Sequence, residues 1–139
     1  MEQRDYLKKQ IDQLALMLAK LLTGLAGFKN NTDLSIKIEE TKQNLKDELD
    51  IDLDGLICLT DLELVKYIRY KNLSFESIDR LADIMALIST SPLEVCSLIN
   101  RKNMLQSSLF LFQYLEKHEV DFSYERHLKI GRLLKKINE

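Results

Sequence analysis

The segment from Asn103 to His118, NMLQSSLFLFQYLEKH, is the most aromatic-rich stretch of the chain, and on a helix its apolar residues fall on more than one side. A surface helix buries one apolar stripe, whereas a helix that is apolar on several sides has to be covered by several neighbours. We therefore expect this segment to form a central helix, with the rest of the chain packed around it.

Length and composition indicate one globular domain spanning residues 1–139. The chain is 45% hydrophobic and 30% charged, which suits a globular protein with a core of its own. One proline and four glycines are few for a loop-rich or all-β fold. The net charge of -2 and the pI of about 5.8 argue against a nucleic-acid-binding protein, since such domains are usually basic.

Periodicity and capping residues predict helices at about 3–28, 33–48, 61–70, 75–88, 92–118 and 124–137. Thr60 and Glu63 have the spacing of a capping box, and Ser74 and Ser123 are positioned as N-caps. Ser91 and Pro92 are a further helix start, with Pro92 at the first helical position. The register of apolar residues jumps between Ile99 and Met104, so residues 92–118 form either two helices or one bent helix.

The first predicted helix carries apolar residues at alternating spacings of four and three, which is typical of a coiled-coil seam. Two interpretations stay open: an internal bundle helix, which we favour, and the interface of a homodimer. The first helix does not predict a membrane span, because its apolar run is short and interrupted by Lys20. The seam residues are Leu7, Ile11, Leu14, Leu18, Leu21, Leu25 and Phe28.

The predicted fold class is all-α: antiparallel helical hairpins that form a tetratricopeptide-like array of five to seven helices. Ser108 and Phe112 match the small and aromatic positions of a tetratricopeptide second helix, while Leu115 stands where a small residue is expected. In the last helix we expect Leu128, Ile130, Leu134 and Ile137 to face the core. Gly131, inside the same helix, predicts a close helix crossing.

Three segments resemble an uncharacterised bacterial family of small helical proteins, the domain of unknown function family 6483. They are Arg4–Leu14 (RDYLKKQIDQL) with the Leu-rich tail to Leu22, the helix that ends in LFLFQYLEK at Lys117, and Phe122–Arg126 (FSYER) with Lys129 and Ile130 behind it. Together they cover about a third of the chain. The resemblance implies a small cytoplasmic helical protein with a tetratricopeptide-like build, and it implies no activity, cofactor or site residue.

Residues 50–61, DIDLDGLICLTD, resemble a calcium loop of the EF-hand kind. Asp50, Asp52 and Asp54 occupy the first, third and fifth positions, Gly55 the sixth and Asp61 the twelfth. Asp61 is shorter than the usual glutamate, and the loop contains several apolar residues. The alternative is a connection between helices in which Ile51, Leu53, Leu56 and Ile57 enter the core while the aspartates face water.

No catalytic constellation is found, and we expect neither an enzyme nor a cofactor. His118 and His127 lie near one predicted helix connection, but two histidines without a required spacing are weak evidence for a metal site. Cys58 and Cys96 stand in apolar surroundings and are predicted to be small core residues. Two isolated cysteines favour a reducing cytoplasm.

Helical hairpins mostly present a surface to a peptide or another protein, so the predicted function is a protein–protein interaction or scaffold module. The last helix is basic, and an acidic partner or the chain's own acidic segment, residues 30–63, is a possible counterpart. The alternative function is calcium or ligand binding through residues 50–61, and an enzyme site assembled from distant residues is a third reading. The predicted partner surface is Tyr67, Tyr70, Tyr124, Arg126 and Arg132.

Overall fold

The computed structural model describes residues 2–27, 31–91 and 98–138, with side chains at 9–10, 13–27, 33–91 and 100–138. These residues form seven helices and no strand, which confirms the all-α class and the predicted number of helices. No helix among them has both the length and the apolar character that crossing a bilayer requires. The helices are α1 (Glu2–Ala26), α2 (Asn31–Leu49), α3 (Leu53–Leu56), α4 (Asp61–Lys71), α5 (Phe75–Ser89), α6 (Leu98–His118) and α7 (Tyr124–Ile137).

Some of the sequence expectations lie outside the described residues. They concern Phe28 at the end of the seam, Pro92 as a first helical residue and Cys96 as a core residue. The side chains of Leu7 and Ile11, at the start of the seam, are also outside the description.

The helix α5 is the centre of the packing, together with α6. The most extensive contact joins α5 to α6, α6 also packs on α7, and α1 packs on both α5 and α2. The α1–α5 contact joins helices that are distant in the chain. Helix α7, which packs on α6, also reaches α5 through the hydrogen bond between Lys129 and Asp83.

The aromatic-rich helix α6 is buried on several sides, as its sequence predicts. Met104, Phe112 and Leu115 are fully buried. Ser108 is also buried, and its hydroxyl donates a 2.7 Å hydrogen bond to the carbonyl oxygen of Ala82 on α5. A small side chain at this point brings the two helices close together. The helix is continuous from Leu98 to His118, so the change of register between Ile99 and Met104 does not separate two helices.

Local sequence sets most of the helix ends. Thr60 and Glu63 form the predicted capping box: the Thr60 hydroxyl accepts from the Glu63 amide, and the Glu63 carboxylate accepts from the Thr60 amide. Ser74 and Ser123 cap α5 and α7 with the same hydroxyl-to-amide contact. Asn72 ends α4 in the left-handed conformation, where asparagine is tolerated.

The described part of the α1 seam is covered by the chain itself. Leu18 and Leu25 are fully buried, and Leu14 and Leu21 pack against the same core. These leucines therefore act as internal bundle residues, and a homodimer through α1 would have to use other positions.

Two predictions about α7 are wrong. Leu128 and Leu134 are both 41% exposed, and the buried apolar residues of the helix are Ile130 and Leu133. Ile130 and Leu133 are three residues apart and lie on the same side of the helix, which faces the core. Leu128 and Leu134 lie outside this side and are turned towards solvent. Gly131 is exposed, and a Cβ added there would meet no described atom within 4 Å, so this glycine does not mark a close helix crossing.

Candidate functional site

The described residues form a groove between α1 and α7, with α5 as its floor. We call it the α1/α5/α7 groove. It has a volume of about 400 Å³ and continues into a smaller recess of about 240 Å³, with which it shares Thr90, Arg132 and Leu133. Its described lining is Leu22 and Ala26 of α1, Asp83, Ala86, Leu87 and Thr90 at α5, and Lys129, Arg132 and Leu133 of α7, with Lys135 and Lys136 at the recess.

The groove exists because α1 and α7 are held by different neighbours. Helix α1 packs on α5, whereas α7 packs on α6 and is linked to α5 by the hydrogen bond from Lys129 to Asp83, and no extensive contact joins α1 to α7 among the described residues. Two of the four residues that line the gap at α5, Ala86 and Thr90, are small. The space between the two helices is therefore left open and lined mainly by apolar side chains.

Lys129 ties α7 to the two helices beside it. Its ammonium donates a 2.8 Å hydrogen bond to Oδ1 of Asp83 on α5 and lies 5.6 Å from the centroid of the buried Phe112 ring on α6. Burial acts to lower the pKa of Lys129, but the hydrogen bond and charge of Asp83 outweigh it, and the pKa is raised. Lys129 is therefore charged at neutral pH and neutralises Asp83 within the groove.

Asp79 lies one turn before Asp83 on α5 and belongs to the same group of charges. Burial raises the pKa of Asp79, and the neighbouring Asp83 carboxylate raises it further. Lys129, Arg80 and Arg126 act in the opposite direction without cancelling the shift. This side of α5 thus holds a carboxylate that keeps its proton to a higher pH than an ordinary aspartate does.

Arg126, predicted to lie on the partner surface, is a structural residue instead. It is 5% exposed, and its guanidinium Nη1 lies 2.5 Å from Oε2 of Glu119, at the end of α6. Arg126 is the third residue of α7, where the cap at Ser123 directs the first turn against α6. A long cation at this place joins the two helices, and it is not available to a partner.

The other four predicted surface residues are not brought together. Tyr70 is 87% exposed on α4, whereas Tyr124 is 69% exposed at the start of α7, and these two helices make no extensive contact. Tyr67 is half-buried, and its hydroxyl is buried without a hydrogen-bond partner among the described residues. Burial, followed by the charges of Asp50 and Asp52, raises the pKa of Tyr67 to about 12. Arg132 is exposed and lines the α1/α5/α7 groove.

The acidic connection, residues 50–61, folds as a helix junction. Ile51, Leu53, Leu56 and Ile57 are buried, as in the second of the two readings offered by its sequence. Asp50 is the left-handed residue after α2, with φ of 54°, and Lys71 Nζ lies 3.8 Å from its carboxylate. Asp54 pairs with Lys42 at 3.2 Å. Cys58 is exposed, so its prediction as a core residue is wrong.

The described side chains contain no group of three or more histidine, cysteine or acidic residues that could hold a metal ion. Asp50, Asp52, Asp54 and Asp61 are therefore not gathered around one point. His127 lies 3.6 Å from Glu116, while His118 stacks on Tyr114 with 4.2 Å between ring centroids. The two histidines thus have separate neighbours, and the geometry gives no support to the calcium alternative.

Of the predicted partner surface, Arg132 lines the groove, and the other groove residues were not among the predicted site residues. The missing residues come from α1, α5 and α7, and no spacing within one helix indicates that these three helices share a surface. One signal was present: the last turns of α7 carry Arg132, Lys135 and Lys136 with no nearby acidic residue in the helix. Comparison with known proteins adds no further residue, since no family model, curated protein or solved structure matches the chain.

Proposed function

We propose that this protein is a protein–protein interaction module, and that the α1/α5/α7 groove is its binding surface. The observation that carries the proposal is the combination of an apolar floor with a cationic rim. Isolated apolar residues are normal on a protein surface, but a contiguous apolar depression bordered by charge is typical of a binding site. A scaffold protein would use the same groove to hold its partner, and the remaining helices keep the walls of the groove in place.

Two further statements belong to this proposal. The helices would be used as in tetratricopeptide domains, where a concave surface made by several helices receives a segment of another protein. Membership of the domain of unknown function family 6483, with the bacterial and cytoplasmic setting that it implies, is supported by the three sequence segments that resemble that family.

Photo-crosslinking from inside the groove tests the proposal. Ala26 lines the groove and is exposed, so a benzoylphenylalanine at this position reaches an occupant without disturbing the core. The same group at Leu62, which is 67% exposed on α4 and outside the groove, is the matched control. We expect irradiation of cells expressing the tagged chain to give one main adduct from position 26 and none from position 62.

The adduct should be competed by untagged wild-type chain and should disappear when Arg132→Glu and Lys135→Glu are added. Equal labelling from positions 26 and 62, or no adduct from either, would contradict the proposal. A crosslink from position 26 to residues 92–97 of the same chain would also contradict it, because the groove would then be filled by the chain itself.

A further inference from the structure

We infer that the partner segment bound in the α1/α5/α7 groove is an acidic amphipathic helix. This inference rests on the proposed function and names the chemistry of the partner. The apolar side of that helix would lie on Leu22, Leu87 and Leu133, and its carboxylates would meet Arg132 and Lys135. Charge, shape and the orientation of α7 support this choice of occupant.

The charge of the groove selects a negative partner. Four cationic side chains line the groove and its recess, against one carboxylate, Asp83. That carboxylate is already bonded to Lys129 at 2.8 Å. Arg132 and Lys135, in contrast, make no ion pair with any described residue. This local excess of positive charge is found on a chain whose net charge is -2, so it is not a consequence of overall composition.

The chain's own acidic segment does not supply the counter-charge. Asp50 of the acidic connection pairs with Lys71, and Asp54 pairs with Lys42. These contacts use lysines of α4 and α2, so the attraction between the acidic segment and α7 that the sequence allowed is not formed within the fold. Arg132 and Lys135 are therefore left to an external partner, and rim charges of this kind accelerate association and select the partner's sign.

The shape of the groove suits a partner that inserts a helix better than a partner that presents a flat surface. Its apolar floor lies on α5, below the walls formed by α1 and α7. An amphipathic helix can lower residues at positions i, i+3 or i+4 and i+7 into such a floor and keep its polar side in water. Two connected volumes of about 400 and 240 Å³ along α7 provide room for successive apolar side chains of this kind.

An anionic membrane is the competing partner, because α7 is basic and amphipathic. A helix that lies on a membrane turns its apolar side outward into the lipid. In α7 the apolar residues Ile130 and Leu133 are 7% and 4% exposed and face the protein, while the outward-facing Leu128 and Leu134 are each 41% exposed and lie outside the groove lining. A bilayer surface would reach the cations of the rim but not the apolar floor, so a membrane does not account for the groove.

Selection from a displayed library of random 16-residue peptides tests the inference. The bait is the purified full-length chain, and enriched peptides are measured by fluorescence anisotropy. We expect them to be acidic, with apolar residues spaced by three and four, and to gain helical circular dichroism when bound. The variant Arg132→Glu/Lys135→Glu should weaken their binding at least tenfold.

The matched control is Lys66→Glu/Arg69→Glu, which reverses two exposed cations at the same spacing on α4. This variant should bind the selected peptides within about twofold of the wild type. Neutral or basic peptides, equal binding to both variants, or no enrichment would each overturn the inference. Sedimentation with vesicles containing 30% phosphatidylserine tests the membrane alternative. Vesicle binding that is lost in Arg132→Glu/Lys135→Glu would overturn the acidic-helix inference in favour of a membrane.

Failure of this inference can be told apart from failure of the proposed function. If photo-crosslinking captures a partner in the groove and the library gives no acidic helices, the interaction function stands and the partner chemistry is wrong. If neither experiment finds an occupant, the function itself is wrong. An adduct between two copies of this chain would keep the groove as an interface and overturn the acidic-helix inference.

Discussion

The acidic connection and the basic end of α7 both have strongly charged sequences, but their charged side chains differ in whether they form ion pairs. In the acidic connection Asp50 and Asp54 are paired with lysines, and the apolar residues between them are buried. At the end of α7, Arg132 and Lys135 border a groove and have no ionic partner among the described residues. The first region resembles a known ion-binding loop in sequence, but it is the second that borders an apolar groove.

This difference shows that a charged segment of sequence does not by itself predict a binding site. The ion pairs and the apolar surface around the charges have to be known as well. Exposed ion pairs contribute little to stability, typically about 0–1 kcal/mol, so the aspartates of the connection are compatible with a purely structural segment. The unpaired cations beside an apolar floor have no comparable structural reason. This contrast can be tested by substitutions on each side.

The largest expected effect belongs to the apolar residues of the acidic connection. Ile51 is fully buried directly after α2, and its amide donates to the carbonyl oxygen of Leu45. Ile51→Ala should lower the free energy of unfolding by about 3 kcal/mol, because it removes buried methyl groups and leaves a cavity. Urea denaturation followed by circular dichroism measures the change.

The matched control is Leu62→Ala, at an exposed position on α4, which should change the same free energy by less than about 0.5 kcal/mol. A loss below about 1 kcal/mol for Ile51→Ala would mean that the connection is not part of the core. The contrast between a structural connection and a functional groove would then fail.

A second prediction divides α7 itself. Arg126→Ala should destabilise the protein by about 2 kcal/mol, since it leaves Glu119 without its cation and opens space at the α6–α7 junction. Arg132→Ala, six residues later, should change stability by less than about 0.5 kcal/mol because its side chain is exposed. Thermal and urea unfolding of the two variants measure the comparison, and similar losses in both would show that the basic end of α7 is structural as well.

A smaller effect of opposite sign is expected at Gly131. The position is exposed and inside a helix, and an added Cβ meets no described atom within 4 Å. Gly131→Ala should therefore raise the free energy of unfolding by about 1 kcal/mol, because alanine loses less conformational entropy in a helix. Peptide binding in the groove should stay unchanged. A destabilised Gly131→Ala would instead restore the close helix crossing expected from the sequence.

Features that depend on neighbouring residues in the chain were predictable. The capping box at Thr60, the caps at Ser74 and Ser123 and the bounds of α7 agree with the sequence expectations. These features use hydrogen bonds between residues three or four positions apart, so their signal lies within a short segment.

Features that depend on which helices meet were not predictable. Arg126 is indistinguishable from Arg132 in a list of basic residues, and only the contact with Glu119 separates them. Leu133 and Leu134 are adjacent leucines, of which the fold buries one and exposes the other. The groove needs α1 and α7 to flank α5, and this arrangement is fixed by tertiary packing that no local pattern records.

The smallest predicted effect concerns the carboxylate beside the groove. Burial and the charge of Asp83 raise the pKa of Asp79 in the folded protein. Between the ordinary aspartate pKa of about 3.9 and the raised value, the folded state holds a proton that the unfolded chain has lost. The contribution of Asp79 to the stability of the wild type should therefore fall as the pH rises through this range and then level off. Asp79→Asn removes the titrating group and with it this part of the pH dependence.

The advantage of Asp79→Asn over the wild type should accordingly be near zero at low pH, grow as the pH rises and reach a plateau by neutral pH. Urea denaturation across this range measures the difference, and Asp121→Asn, the same substitution at an exposed position between α6 and α7, is measured beside it as the control. A difference that shrinks with rising pH would mean that Lys129 and Arg126 dominate the surroundings of Asp79. The α5 side of the groove would then stabilise negative charge, and it would add to the attraction that Arg132 and Lys135 exert on an acidic partner.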